Sequence, residues 1–238
     1  MQTALMLCLG ICHQVALPSA AAAEAILFIL GAALLTRAKN KIPGARLNRL
    51  FNIRGELSIY EKITAGIMTS AALIITWTML THPITDHDSL AYHLPAMAEW
   101  TRNGYFVRLP LKIIGYYPFN WEALCTLFLF PFKGSDIMVA VPNLAAWGLF
   151  GLSGYSLGRE LNVQRHYLMA ISSLVAITPI VLQNVLSMHV DLPLAAFFMA
   201  GLYFIAVFSR TRSGAYILLI FGSIAMVSLD TIKIPMLE

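Results

Sequence analysis

The chain has 238 residues, of which 58% are hydrophobic and only 12% charged, and its mean hydropathy is +0.73. Soluble domains carry about 25% charged residues, so a single water-soluble globule is excluded as the expectation and an integral membrane protein takes its place. The net charge of +4 does not point to a nucleic-acid partner, because much of the basic charge falls in one block between apolar runs and no aromatic-interleaved basic motif accompanies it.

A membrane-crossing helix needs about 20 largely apolar residues. Residues 1–36 form the first apolar segment, with one span expected from Ala20 to Thr36 and an interfacial or partial span before Pro18. A cleaved leader ending in the small-residue run 18–23 is the competing reading, although no basic residues precede it. Residues 37–62 then carry Arg37, Lys39, Lys41, Arg46, Arg49, Arg54 and Lys62, the signature of a cytoplasmic loop. Further spans are expected at Ile63–Leu80, Ile137–Leu157, Tyr167–Ser187, Leu192–Phe208 and Ala215–Leu229. Ala123–Phe132 is apolar but too short to cross, and reads as a re-entrant or surface helix.

The fold expected is therefore an all-α membrane protein, a polytopic bundle of about six transmembrane helices forming one domain over residues 1–238. Alternating the spans from a cytoplasmic basic block puts eleven basic residues inside and five outside. It also puts residues 83–136 and the loop His189–Asp191 on the same outer face, where they can converge on one site. The three cysteines, Cys8, Cys12 and Cys125, lie in apolar segments, with neither zinc-type spacing nor a disulfide framework.

The outer loop carries the chemistry. Thr85-Asp86-His87-Asp88-Ser89-Leu90-Ala91-Tyr92-His93 gathers two acids and two imidazoles at the end of a span, and ionisable groups placed there usually have a task. The spacing predicts a juxtamembrane amphipathic helix from an Asp88 N-cap to a Gly104 stop. Leu90, Leu94, Met97, Ala98 and Thr101 would form its apolar stripe, and Pro95 would kink it. Tyr116-Tyr117-Pro118-Phe119-Asn120-Trp121-Glu122 then fits an interfacial aromatic belt leading into the second surface segment. Gln183 and Asn184 near a span end are read as inter-helix hydrogen-bonding residues.

In order, these landmarks resemble the first half of a GT-C fold glycosyltransferase. The group they resemble is polyprenyl-phosphate-dependent and includes protein O-mannosyltransferases and the aminoarabinose transferase of lipid A. The resemblance covers about residues 83–235. It rests on Asp88-Ser89-Leu90-Ala91-Tyr92, Ala96, Met97 and Asn103-Gly104, then Tyr117 to Leu124, then Gly134-Ser135-Asp136. His189 to Ala195 and Lys233-Ile234-Pro235 complete it. Departures are an Asp-x-Asp in place of an adjacent acid pair, and Pro142-Asn143 where the family has an arginine. Such enzymes have more spans and often a C-terminal soluble domain, so the chain is expected to be the N-terminal portion of one.

The resemblance implies an inverting transfer of a sugar from a polyprenyl phosphate to a glycan, lipid or protein acceptor on the outer face of a bacterial cytoplasmic membrane. Membrane lipids are the other partner; nucleic acid is not. An acceptor hydroxyl needs a carboxylate within hydrogen-bond reach, and Asp86 or Asp88 is the expected general base. Asp88 fits the family motif better, but a capping carboxylate gives up basicity to the backbone N–H groups that hold it, which favours Asp86. His87, Tyr92, His93, Glu122 and Asp191 are the expected substrate-binding residues, with Arg108, Lys112 and Lys233 on the donor phosphate. Asp86, Asp88 and His93 are also a donor set for a divalent cation. The alternatives carried with this reading are a membrane transporter and a non-catalytic assembly subunit.

Overall fold

A computed structural model describes residues 58–105, 120–129 and 135–229, and these form helices and connecting turns without strands. The N-terminal span, the basic block up to Arg54, Arg108, Lys112, Lys133, Asp230 and Lys233 lie outside the described residues.

Helix α1, Ile59–Thr81, begins with a reciprocal cap. Ser58 Oγ accepts from Glu61 N at 3.3 Å, and Ser58 N donates to Glu61 Oε2 at 2.9 Å. This satisfies two groups that a helix start would otherwise leave orphaned. Ile63, Ile67, Leu73, Ile74 and Trp77 project outward on α1, while Ile75 and Met79 turn into the core. Exposed apolar residues along one helix suit a lipid-facing surface rather than a water-facing one.

After α1 the chain turns at His82–Asp86 and becomes helical again at His87. Ser89–His93 is a π turn that leads into α2, Leu94–Asn103. Gly104 ends α2 in the left-handed region at φ 75°, as its place in the sequence predicts. A short helix α3, Asn120–Cys125, runs into a 3₁₀ turn at Thr126–Phe128; both are too short to cross a membrane. A second 3₁₀ turn, Asp136–Met138, opens α4, Val141–Glu160. The remaining helices are α5 (Arg165–Ala176), α6 (Pro179–Leu186), α7 (Asp191–Thr211) and α8 (Gly214–Leu229).

Three stretches are long and apolar enough to cross a membrane: Ile59–Thr81, Asp136–Glu160 and Asp191–Thr211. The single span expected at Tyr167–Ser187 is instead the pair α5 and α6, bent by 57°, and counts as a fourth if the two cross together. Pro179 causes the break. Its ring forces Thr178 out of the helical region, to φ −60° and ψ 144°. The expected last span is described as the 16-residue α8, packed along α7.

The helices alternate in direction. At one end Arg165 Nε meets Glu61 Oε1 at 2.6 Å, joining the starts of α5 and α1. At that same end Arg210 Nη2 meets Glu160 at 3.0 Å, joining the ends of α7 and α4. The chain returns tightly between α4 and α5 there, and a Cβ on Gly158 would stand 2.1 Å from Leu168 Cδ2. The other end collects the end of α1, the turn at Asp86, the start of α4, the end of α6 and the start of α7. Cysteines at positions 88 and 212, in a chain cleared of native cysteines, are therefore expected to react with an impermeant maleimide from opposite sides of a vesicle. Labelling of both from one side would rule out this arrangement.

Candidate functional site

The site is built on the break between α5 and α6. Interrupting a buried helix frees carbonyls, and an unpaired buried carbonyl costs on the order of 1–3 kcal/mol. Helix α4 supplies the donors. Trp147 Nε1 donates to Ala176 O at 2.8 Å, where α5 stops. Asn143, one turn earlier on the same face, donates through Nδ2 to Ser187 O and, at 3.4 Å, to Asn184 O, where α6 stops. Its Oδ1 accepts from Trp121 Nε1 of α3 at 2.7 Å. Asn143 is fully buried, and three elements meet on its amide.

Ending α6 at Leu186 places the turn 187–190 against the π turn that leads into α2. Met188 N donates to Ser89 Oγ at 2.8 Å, with both residues fully buried. The next residue, His189, brings Nε2 to 3.2 Å from Asp86 Oδ2. Ser89 N also donates to Asp86 Oδ2, at 2.9 Å. Asp86, not Asp88, therefore caps this helix, so a cap on Asp88 no longer favours Asp86 as the base, and Asp86 stands as the candidate base on its place at a cavity alone. Asp88 is already helical, at φ −69° and ψ −40°, makes no side-chain cap hydrogen bond and stays exposed.

The π turn explains the second departure. Pro95 has no N–H, and its ring would collide with a carbonyl one turn back in a regular helix. The chain widens there, and Leu94 N reaches Ser89 O, five residues away. The extra residue rotates the buried face. Ser89, His93, Ala96, Met97 and Trp100 point inward, whereas Leu90 and Ala98, expected on the apolar stripe, are exposed. The rotation carries His93 onto α3, where Nδ1 pairs with Glu122 Oε1. His93 and Glu122 are 5% and 1% exposed, so neither presents its side chain to solvent. The His93 and His189 rings lie 6.4 Å apart, and two acid–imidazole pairs thus stand side by side.

Each acid uses one oxygen. Asp86 Oδ1 and Glu122 Oε2 are buried and accept no hydrogen bond from a described residue. The two acids differ in their access. Asp86 lines a cavity of about 620 Å³ between the ends of α1 and α6 and the approach to α4, along with Asp136, His82, Thr78, Ser135 and Gln183. The described lining contains no lysine or arginine.

The remaining expected site residues are placed as follows. His87 is exposed, and Tyr92 is half-buried with its ring 4.2 Å from that of His93. Asp191 is exposed in the first turn of α7, where a carboxylate complements the helix dipole. Asp86, Asp88 and His93 are not assembled as metal ligands, and no group of three or more His, Cys, Asp or Glu is placed to hold a metal among the described residues. Gln183 is exposed, and Asn184 donates from its side chain to Ile180 of its own helix at 2.8 Å. Two residues of the site went unread in the sequence. Asn143 looked only like the absence of an arginine. His189 was seen as a neighbour of Asp191, although the sequence put its loop on the same expected side as Asp86, and that was the available signal.

Burial pushes the Cys125 thiol well above its ordinary range, and the Glu122 carboxylate adds to the shift. A folded-state value raised in this way stabilises the protein below the unfolded thiol's value of about 8.5. That stability is lost as pH rises, because only the unfolded thiol ionises, at up to about 1.4 kcal/mol per pH unit. Unfolding in detergent between pH 8 and 10 should therefore show a steeper loss in the parent chain than in Cys125→Ala; parallel curves would contradict it. Asn143→Ala should cost about 2–4 kcal/mol, since it strands the Trp121 N–H and the Ser187 carbonyl. Asn184→Ala, which removes only a bond within its own helix, should cost under about 1 kcal/mol in the same unfolding titration.

No family model, curated protein or solved structure matches the chain, so the meaning of this geometry has to be argued from its own residues.

Proposed function

We propose that the chain is a membrane glycosyltransferase, or the N-terminal part of one. It moves a sugar from a polyprenyl phosphate to an acceptor hydroxyl at the end of the bundle that carries Asp86. The observation that carries the reading is the state of that carboxylate. One oxygen accepts from Ser89 N and lies 3.2 Å from His189 Nε2, the other has no described partner, and the residue lines a cavity at the end of membrane-length helices. The order of the sequence landmarks supplies the reaction class.

In the step proposed, the acceptor oxygen attacks the anomeric carbon as Asp86 Oδ1 takes its proton. The bond from that carbon to the phosphate oxygen breaks, and the polyprenyl phosphate leaves with the electron pair, inverting the configuration. A carboxylate at the membrane end suits a donor whose lipid tail stays among the apolar helices. The acidic lining of the cavity suits a neutral hydroxyl better than a phosphate. The phosphate is assigned instead to Arg108, Lys112 and Lys233, which would absorb the charge that develops on it. Helix α2 is taken to lie along the membrane surface, and this face to be the non-cytoplasmic side of a bacterial cytoplasmic membrane. His93 and Glu122, locked to each other, act through their neighbours rather than on the substrate.

The decisive measurement is transfer from radiolabelled polyprenyl-phosphate sugars by the protein reconstituted in lipid. Loss of a general base costs on the order of 10²–10⁴-fold, so Asp86→Asn is expected to fall in that range. Asp88→Asn should stay within about tenfold of the parent, as expected for a residue that does not take the proton. A larger loss from Asp88→Asn than from Asp86→Asn would reverse the assignment.

A further inference from the structure

The proposed base is a carboxylate, and a carboxylate at the start of a helix has two oxygens that compete for every donor nearby. Here the competition is one-sided. Ser89 N and His189 Nε2 both approach Oδ2, at 2.9 and 3.2 Å, and Oδ1 is buried without a hydrogen bond from any described residue. The first donor belongs to the same helix and would be present in any capped helix. The second comes from a turn about a hundred residues later, and its position is over-determined. Met188 is pinned to Ser89 Oγ, Ser187 to Asn143, and the His189 ring stands beside that of His93, which is paired with Glu122.

We propose that His189 is a positioning residue for Asp86. Its Nε2, 3.2 Å from Oδ2, restrains rotation of the carboxylate and leaves the buried Oδ1 as the uncommitted oxygen that takes the proton once the acceptor hydroxyl enters beside it. His93 and Glu122 form the buried brace behind it. The catalytic part of this proposal rests on the glycosyltransferase reading; the pairing does not. In the pairing proposed, the His189 proton shared with Asp86 is the one on Nε2, the nitrogen that faces the carboxylate oxygen. It also separates the two acid–imidazole pairs by task. The Asp86–His189 pair is partly open, its side chains 18% and 22% exposed, and faces the cavity at Asp86. The His93–Glu122 pair is closed, at 7% and 1%, and holds the helices that carry the first pair.

The test has a spectroscopic arm and a kinetic arm. In the ¹⁵N-histidine-labelled protein, the signal assigned through His189→Gln should show the proton on Nε2, and Asp86→Asn should move it. In the transfer assay, His189→Ala should lower kcat on the order of 10- to 100-fold with KM little changed, the expected effect of a base that is present but loosely aimed. His189→Gln, whose amide N–H reaches the place of Nε2, should restore activity to within about threefold of the parent. A His189 signal unmoved by Asp86→Asn overturns the pairing, whatever the activity. A moved signal with unchanged kcat in His189→Ala overturns the positioning role. A moved signal in a parent chain that transfers no polyprenyl-phosphate sugar overturns the reading of this chain as a glycosyltransferase active on its own, and the positioning role in it, while the pairing stands.

Discussion

The described part of the molecule depends on how α4 accommodates a broken neighbour. In an apolar bundle a helix cannot stop unless its freed carbonyls find donors, because there is no water to take their place. The Trp147 indole at Ala176 answers the end of α5, and the Asn143 amide at Asn184 and Ser187 answers the end of α6. The two side chains sit four residues apart, so one face of one helix serves both ends. With those donors in place, Pro179 becomes a usable device. It stops α5 at Ala176, redirects the chain by 57° and brings the turn 187–190 inward. Every contact between that turn and Asp86 or Ser89 follows from the redirection.

A second proline does the complementary work on the segment that leads into α2. An α-helix running from His87 through Pro95 would have to accept a steric clash. The π turn removes the clash and rotates the preceding residues, so that Ser89 and His93 face the bundle. The polar groups that the sequence places on this helix thus meet partners from two later segments, Met188 and Glu122. Two irregularities, each caused by a proline and each satisfied by side-chain donors or a widened turn, create the only described place where acids and imidazoles from distant segments come together.

The sequence carried the coarse architecture well. Long apolar runs mark α1, α4 and α7 because membrane length leaves few alternatives, and the alternation of charged ends follows from short connections between antiparallel neighbours. That same alternation brought the loop at His189 to the side of Asp86 before any contact was known. The finer placements were lost where local geometry overrides period. A stripe counted at 3.6 residues per turn cannot anticipate a π turn, so Leu90 was assigned inward and His93 was not. The cap was placed on Asp88 because it stands next to the stripe, whereas the helix begins two residues earlier and takes Asp86. Asn143 was illegible for a different reason. Its partners are backbone carbonyls exposed by a break elsewhere, and nothing near position 143 records that they exist.

The asymmetry between the two acid–imidazole pairs is then a consequence of depth. A carboxylate as enclosed as that of Glu122 is tolerable only with a fixed partner, because desolvation penalises an unpaired charge heavily. Such a pair is suited to holding two helices in register and poorly suited to meeting a substrate. Asp86, at the rim, retains some solvent exposure and a cavity at its side. It can be held on one oxygen without being used up by the hold. The arrangement therefore divides the demands that the proposed base would face: the deep pair supplies rigidity, and the shallow pair leaves one oxygen without a described partner. A base at the surface of a bundle needs both, since an acid free to rotate would meet an acceptor hydroxyl with either oxygen, and an acid fully bonded would meet it with neither.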